Sequence, residues 1–440
     1  MSHRLLGTAL ALLIAVLPSA RAAAPEPQVR VLHCGQLLAV PGQAPMREAT
    51  VVLSAGRIEK VLPGYVPLAQ LTQDRSAELI DLTDYFVLPG LIDCHTHLTM
   101  ELSRDARLRN VEESDADAAM YGVVHARRTL DAGFTTVRNV GSSGDAMFAL
   151  RDAINRGDVP GPRILEGGES ISPTGGHSDG THGYRDDLFE MPAAMQGIAD
   201  GPDECRKAVR AQVKRGADVI KMTATGGVLS ATAAGTEQQF FEDELAAIVE
   251  TAHLLGRKVA AHAHGTRGIN AALRAGVDSI EHGSYLDDES IALFKQTGAY
   301  LVPTLHAGRT VVELAGQEGY FVPAVAAKAK RVGPVMMGAF RRAHENGVRI
   351  AFGTDCGVGP HGDNGREFLL MVEGGMTPME AIVAATISAA DLCGLSDEIG
   401  TIEEGKAADL VAVGGDPLTD MSAIRDVRVV VRAGQPHRVR

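Results

Sequence analysis

The hydrophobic and polar positions of the chain follow two different patterns. Near the start, short segments alternate and are broken by glycine or proline: "VRVLHCGQLLAV", "EATVVLSAGRIEKVLPG" and "AELIDLTDYFVLPG". This pattern predicts short antiparallel strands. From residue 88, apolar β-rich runs alternate with segments of helical period, such as "EDELAAIVETAHLLG". The second pattern is typical of successive βα units.

Eight apolar runs of this second kind lie between residues 88 and 355. They are "LPGLIDCHTHL", "FTTVRNVG", "PRILEGG", "ADVIKMTATGG", "KVAAHAHG", "VDSIEHGS", "AYLVPTL" and "VRIAFGTD". Eight strands separated by helices predict an α/β fold, a (β/α)₈ TIM barrel. The Gly-, Asp- and His-rich stretch 168–200 is predicted to be a long loop after the third strand.

Strand-like segments return near the end of the chain, in "GTIEEGKAADLVAVGG" and "VRVVVRAGQ". We expect them to pair with the first strands in a small β-sandwich domain built from both chain ends. The predicted composite β-domain covers residues 25–87 and 395–440, and the barrel covers 88–394.

The first 24 residues, "MSHRLLGTALALLIAVLPSARAAA", place an arginine before an apolar stretch and small residues at its end. They resemble a cleaved secretory signal, and the run is short for the alternative of a membrane anchor. We therefore expect an exported protein, periplasmic or secreted, with no membrane attachment after cleavage. The five cysteines do not resemble a disulfide framework, and Cys94 and Cys356 fit small buried hydrophobic positions.

The net charge of −13 argues against a nucleic-acid partner, because nucleic-acid binding normally requires a basic surface. We expect no nucleic-acid partner.

Histidines and other ligand-type residues recur where the predicted barrel strands end. Residues at the carboxyl ends of barrel strands face one site, and residues two apart on a strand share a face. The candidates are His95, His97, Lys221, His262, His264, His282 and Asp355. Any one of these histidines alone could be a structural residue, Lys221 could instead pair with Asp355, and alternation does not choose between His262 and His264. The whole set predicts a site for zinc or a similar divalent ion.

The series HxH, Lys, His, His, Asp resembles the amidohydrolase superfamily, in its branch with a binuclear metal centre. "LPGLIDCHTHL" and "GTIEEGKAADLVAV" are similar to its opening and closing signatures. "AHAHG", "IEHGS", "FGTD" and "GMTPMEAIVAAT" resemble the imidazolonepropionase-like group, which includes Xaa-Pro and other metallo-dipeptidases and ochratoxin-hydrolysing amidases.

The resemblance implies two metal ions. His95, His97 and Asp355 would bind the more buried ion, and His262 and His282 the more exposed one. Lys221, carrying a carbamate derived from CO2, would bridge both ions, and zinc is the default from the ligand types. His264 would then lie near the substrate. The resemblance also implies a homo-oligomer, with octamers among the assemblies of the family.

The implied reaction is hydrolysis of an amide or peptide bond by a hydroxide bridging the metals, with Asp355 transferring the proton. Dipeptides, N-acyl amino acids and amide toxins such as ochratoxin are the expected substrates. Candidate contacts for the substrate are His264, His177, Arg185, His306 and His361, although His177 and Arg185 could equally belong to a solvated loop and His361 could order the loop after strand eight.

Three other functions remain open from the sequence. A lactonase or phosphotriesterase would use the same ligands. A mononuclear deaminase or imidazolonepropionase is disfavoured by Lys221 and by histidine at position 264. A non-catalytic exported barrel that only binds a metal or a ligand would have no need of Asp355 beside a bridging hydroxide.

Overall fold

The computed structural model describes residues 29–72, 75–185, 187–230 and 235–438. The predicted signal peptide over residues 1–24 lies outside these ranges. Among the described residues, no helix combines the length and the apolar character needed to cross a bilayer.

Strands and helices alternate along the described chain, and the fold is mixed α/β. The strands are β1 (Val29–Leu37), β2 (Met46–Ser54), β3 (Arg57–Pro63), β4 (Ala77–Pro89), β5 (Leu91–Thr96), β6 (Phe134–Asn139), β7 (Arg163–Glu166), β8 (Val219–Thr223), β9 (Lys258–Ala263), β10 (Ser279–His282), β11 (Tyr300–Val302), β12 (Leu410–Val413), β13 (Val427–Arg432) and β14 (Gln435–Arg438).

The helices lie mostly between the parallel strands. They are α1 (Leu68–Leu71), α2 (Ala106–Glu112), α3 (Asp115–Asp131), α4 (Ala146–Arg156), α5 (Gly201–Arg215), α6 (Glu242–Leu254), α7 (Thr266–Ala275), α8 (Asp288–Thr297), α9 (Leu305–Ala315), α10 (Pro323–Glu345), α11 (Arg366–Glu373), α12 (Pro378–Val383) and α13 (Ala389–Leu392). Local signals mark several of their ends, such as the Ser114–Asp117 capping box that begins α3.

Strands from both chain ends share one seven-stranded sheet, in the order β14-β13-β12-β4-β1-β2-β3. One pair, β1 with β4, is parallel rather than antiparallel, because the chain crosses back through α1 before it enters β4. Buried apolar side chains of this sheet form a small core that is separate from the largest one. The strand pairing describes a single sheet, and the two-layer sandwich and the domain bounds stay predictions.

The remaining strands pair in parallel and in chain order, β5-β6-β7 and β8-β9-β10-β11. The two sets meet where Asp218 N donates to Glu166 O and Ile171 bridges Met222. The eighth predicted strand has only single bridges, yet its backbone bonds reach both neighbours. Leu301 N donates to Arg349 O on one side, and Cys94 N donates to Phe352 O on the other. The eight segments therefore follow one another in ring order, around the largest apolar core of the described chain.

Candidate metal centre

The six residues predicted as metal ligands all line one cavity at the carboxyl ends of the parallel strands. The cavity measures about 220 Å³. The six are His95, His97, Lys221, His262, His282 and Asp355. His177 and His264, two of the predicted substrate contacts, line the same cavity.

One group of ligand-type residues comes from β5, from His97 just after it and from the end of the eighth segment. Asp355 Oδ1 lies 3.6 Å from Nε2 of His95 and 3.3 Å from Nε2 of His97. The ligand atoms of the three residues all lie within 4.8 Å of one another. Oδ1 is buried and has no hydrogen-bond partner in the described part of the chain. A buried anionic oxygen without a donor, facing two imidazoles, fits a divalent cation.

A second group is formed by His262, His264 and His282, again with ligand atoms within 4.8 Å of one another. His264 Nδ1 bonds to Ser284 Oγ at 2.7 Å, and His282 Nδ1 bonds to Thr304 Oγ1 at 2.7 Å. These bonds orient both rings and leave each Nε2 toward the cavity. His262 in β9 and His264 just after it are both available on geometric grounds, so the choice between them still rests on the family pattern.

Two of the six residues have left-handed backbone conformations, with φ of 73° at His282 and 58° at Asp355. Positive φ at a non-glycine residue is uncommon, and such strain concentrates at functional sites. At the end of β10 the left-handed conformation of His282 changes the direction of its side chain. His282 is turned inward immediately after Glu281, which also points inward, so two adjacent residues both face the site.

Lys221 is buried and its side chain lines the cavity. Burial lowers the pKa of its amine to about 8, although the carboxylates of Glu281 and Asp355 act in the opposite direction. Among the residues that the structure describes, the close side-chain contacts of Asp355 Oδ1 are with His95 and His97, and no ion pair joins Asp355 to Lys221. The alternative of a structural Lys221–Asp355 pair is therefore not what the structure contains.

Five of the cavity histidines are held in their neutral form. Burial lowers the pKa of His95 and His264 to about 4 and that of His177 to about 3. Burial also holds the pKa of His262 and of His282 well below the ordinary value. A neutral imidazole has the free lone pair that a metal ligand requires.

The sequence analysis did not identify the two buried residues that orient His95, which are Glu281 and Arg138. Glu281 Oε2 accepts from His95 Nδ1 at 2.7 Å, while Oε1 accepts from Arg138 Nη2 at 2.8 Å. Burial alone would raise the pKa of Glu281, but Arg138 and the bond to His95 outweigh it and lower the pKa to about 2. A usable signal existed, since a glutamate inside an apolar strand run requires a buried partner.

Three other predicted contacts lie away from the cavity lining. Arg185 is exposed and pairs with Asp187 on the loop surface. His361 donates from Nε2 to Met100 O at 2.9 Å, which matches its alternative role of ordering the loop after strand eight. His306 is fully buried at the start of α9 and does not itself line the cavity. None of the three lines the described cavity, and direct substrate contact by these residues stays a prediction.

The cavity lining also includes a set of apolar side chains, here called the apolar wall. It is formed by Met100, Val228, Leu229, Val311, Met336 and Val358. Lys328 of α10 secures part of this wall, since its buried ammonium donates to Gly227 O at 2.8 Å and to Ser230 O at 2.7 Å. The cavity thus combines ligand-type residues with an apolar wall suited to an apolar side chain.

Comparison with known proteins agrees with this geometry. The model of the amidohydrolase family matches residues 86–436. Ochratoxinase from Aspergillus niger is 34% identical, covering 94% of this chain and 87% of the relative.

Two solved structures extend the likeness. The crystal structure of a Xaa-Pro dipeptidase with methionine bound in its active site is 42% identical, with a TM-score of 0.89 over 93% of this chain and 100% of the other. A prolidase complexed with N-methylphosphonate-L-proline is 32% identical, with a TM-score of 0.84 over 93% and 99%. The chain therefore belongs to the amidohydrolase family and is a hydrolase acting on carbon–nitrogen bonds.

Proposed function

We propose that the chain is a binuclear metallohydrolase that cleaves the amide or peptide bond of dipeptides or N-acyl amino acids. The eight parallel segments close into a (β/α)₈ barrel in this proposal, which the backbone bonds on both sides of residues 349–352 support. The main observation in support of this function is that the six ligand-type residues converge on one cavity, where Oδ1 of Asp355 is buried and has no hydrogen-bond donor among the described residues.

The described donors divide into two sets. His95, His97 and Asp355 would hold one divalent ion, and His262 and His282 would hold the other. Lys221 lies in the same cavity, and its amine, with a pKa lowered to about 8, is suited to capture CO2 as a bridging carbamate. Imidazole and carboxylate ligands favour zinc. When bound, such ions activate water and polarise the scissile carbonyl.

Asp355 is the proton-transfer residue in this proposal. Its pKa is lowered: burial opposes ionisation, but His95 and His97 outweigh that effect, so the side chain is a carboxylate at neutral pH. Oδ1 is therefore ready to accept the proton of the attacking water and to return it to the departing amine. The left-handed backbone at Asp355 aims this oxygen toward the two histidines.

The ligand-type residues and the apolar wall of the cavity support a mode of substrate binding. An apolar side chain of the substrate packs against Val228, Leu229 and Met336, while the scissile carbonyl faces the ligand residues. His177 and His264 are neutral and able to donate one hydrogen bond each to the carboxylate of a dipeptide. The cavity volume, below the usual range for drug-sized ligands, favours a small substrate. The ochratoxinase and dipeptidase relatives support an amide bond next to an amino acid.

The test is a panel of dipeptides and N-acyl amino acids, incubated with enzyme loaded with zinc and bicarbonate and read by mass spectrometry. Release of C-terminal amino acids, greatest from substrates with an apolar side chain, is the expected result. Lactones and phosphotriesters belong on the same panel. Turnover of those compounds without any amide cleavage would overturn the proposal in favour of the alternative on the same ligands.

A further inference from the structure

A third group of metal-ligating side chains lies outside the candidate metal centre. It consists of Glu101, His125 and His361, whose ligand atoms all lie within 4.8 Å of one another. Glu101 lies beyond β5, His125 is on α3, and His361 is in the loop after Asp355. We call these three residues the outer cluster. The residues that line the catalytic cavity in the described structure do not include them.

Backbone carbonyls fix the tautomers of both imidazoles. His125 Nδ1 bonds to Leu98 O at 2.8 Å, and His361 Nε2 bonds to Met100 O at 2.9 Å. A carbonyl oxygen only accepts hydrogen bonds, so the two bonded nitrogens carry the protons. Nε2 of His125 and Nδ1 of His361 are therefore left with lone pairs. An imidazole held by a carbonyl on its far side is the usual arrangement of a metal-ligating histidine.

His361 also carries an unsatisfied buried atom. His361 is only 5% exposed, and its Nδ1 has no hydrogen-bond partner among the described residues. Burial lowers the pKa of His361 to about 3 and also lowers that of His125, so both rings are neutral. A neutral, buried nitrogen lone pair without a donor is uncommon in a folded protein and requires an explanation.

Glu101 supplies the negative charge. Its Oε2 accepts the backbone N–H of His361 at 2.9 Å, which holds the carboxylate beside the rings. Arg128 is the nearby cation, but its Nη1 is 3.9 Å from Oε2, beyond hydrogen-bond distance, and its side chain is 53% exposed. The carboxylate therefore keeps capacity for another ligand.

We propose that the outer cluster binds a third divalent cation of the zinc class. Two histidines and one carboxylate are a common protein ligand set for zinc, with water completing the coordination. The rings of His125 and His361 are stacked, with centroids 4.3 Å apart and an interplanar angle of 20°. Zinc–nitrogen bonds of about 2.1 Å require the ligand atoms to lie about 3.3 Å from one another. One ring therefore tilts when the ion binds, which brings the ligand atoms to that distance.

The ion ties three separate segments together: the segment after β5, helix α3 and the loop after Asp355. Met100, whose carbonyl holds His361, also lines the apolar wall of the catalytic cavity. The third ion thus stiffens a wall of the substrate site without touching the reaction.

The test compares the wild type with His125→Gln and with the matched control Tyr121→Phe, which alters a neighbouring ring on the same helix. Zinc per chain is measured by plasma mass spectrometry after dialysis against buffered zinc, and the Tm is measured with and without zinc. The wild type and Tyr121→Phe are expected to hold one more zinc per chain than His125→Gln. Zinc is also expected to raise their Tm by more.

Equal zinc content in all three proteins would overturn the proposal. An equal loss of Tm with and without zinc in His125→Gln would likewise assign the cluster to packing alone. If His125→Gln does not fold, Glu101→Gln serves as the second variant, because its partly exposed side chain tolerates substitution. The comparison counts a difference of one ion, so its outcome is independent of how many ions the catalytic cavity holds.

Discussion

Glu281 and His95 are joined by a buried hydrogen bond, with 2.7 Å between Oε2 and Nδ1. Because the carboxylate accepts, Nδ1 of His95 carries the proton and Nε2 is left facing Asp355 and the cavity. Arg138, also buried, compensates the charge of Glu281 from behind. This chain of contacts determines which nitrogen of the first ligand is free to bind a metal.

We expect Glu281→Gln to weaken zinc binding by about 10- to 100-fold, because the residue that orients His95 loses its charge and Arg138 loses its partner. Zinc affinity is measured by competition with a chelator. Glu244→Gln is the matched control, since Glu244 is a buried carboxylate that caps α5 and α6 away from the cavity. An unchanged affinity in Glu281→Gln would show that His95 needs no such orientation.

Asp355→Asn is expected to lower kcat by about 10²- to 10⁴-fold, the range for loss of a general acid–base group, while the Tm stays close to the wild-type value. Circular dichroism and the rate on the best substrate of the panel measure both quantities. Asp363→Asn, in the following loop and paired with Arg425, is the control. Activity near the wild-type level in Asp355→Asn would remove the proton-transfer role.

Reconstitution with metal is expected to require CO2 and to accelerate as the pH rises toward 8. Only the unprotonated amine of Lys221 reacts with CO2, and burial lowers its pKa from 10.5 to about 8, so the reactive fraction increases up to that pH and then levels. The rate of activity recovery is followed at constant dissolved CO2 between pH 6 and pH 9. Recovery at the same rate in CO2-free buffer would contradict the carbamate.

The metal-free protein is expected to lose stability as the pH falls from 6.5 toward 4. His95 and His264 have folded-state pKa values of about 4 against an ordinary 6.5. In that window the unfolded chain binds protons that the folded chain does not, at about 1.4 kcal/mol per pH unit for each histidine. Urea unfolding at several pH values measures the slope. In His264→Asn the slope of the unfolding free energy against pH should correspond to about one proton fewer. An unchanged slope would contradict the lowered pKa of His264.

Lys328→Met is expected to raise the KM for substrates with apolar side chains more than it changes kcat. The ammonium of Lys328 holds the backbone of residues 227–230, and Val228 and Leu229 form the apolar wall. The control is Lys330→Met, an exposed lysine on the same helix. If both variants give the same KM, the ammonium is not what positions this wall.

The strand-end residues could be predicted from the sequence because two simple rules apply to them. Residues two apart on a strand share a face, and strand ends of parallel units meet at one site. Those rules depend only on local spacing, and they account for His95 with His97 and for His262 with His264.

The rest depends on contacts between distant parts of the chain. Arg138 meets Glu281 across 143 positions, and no local pattern encodes that pairing. Strict alternation would also send Glu281 and His282 to opposite faces, and only the left-handed backbone at His282 brings both inward. Arg185 and His361 lie in loops, where spacing gives no direction to a side chain.

The seven-stranded sheet has a consequence for how the chain is made. Its central strand β4 pairs on one side with β1 and on the other with β12, whose residues Leu410–Val413 are synthesised more than 300 positions later. Until those residues emerge from the ribosome, one edge of β4 has no partner, and an open strand edge is a site for pairing with other chains. A chain that stops before residue 410 is therefore a candidate for aggregation even though it carries all six ligand residues of the cavity.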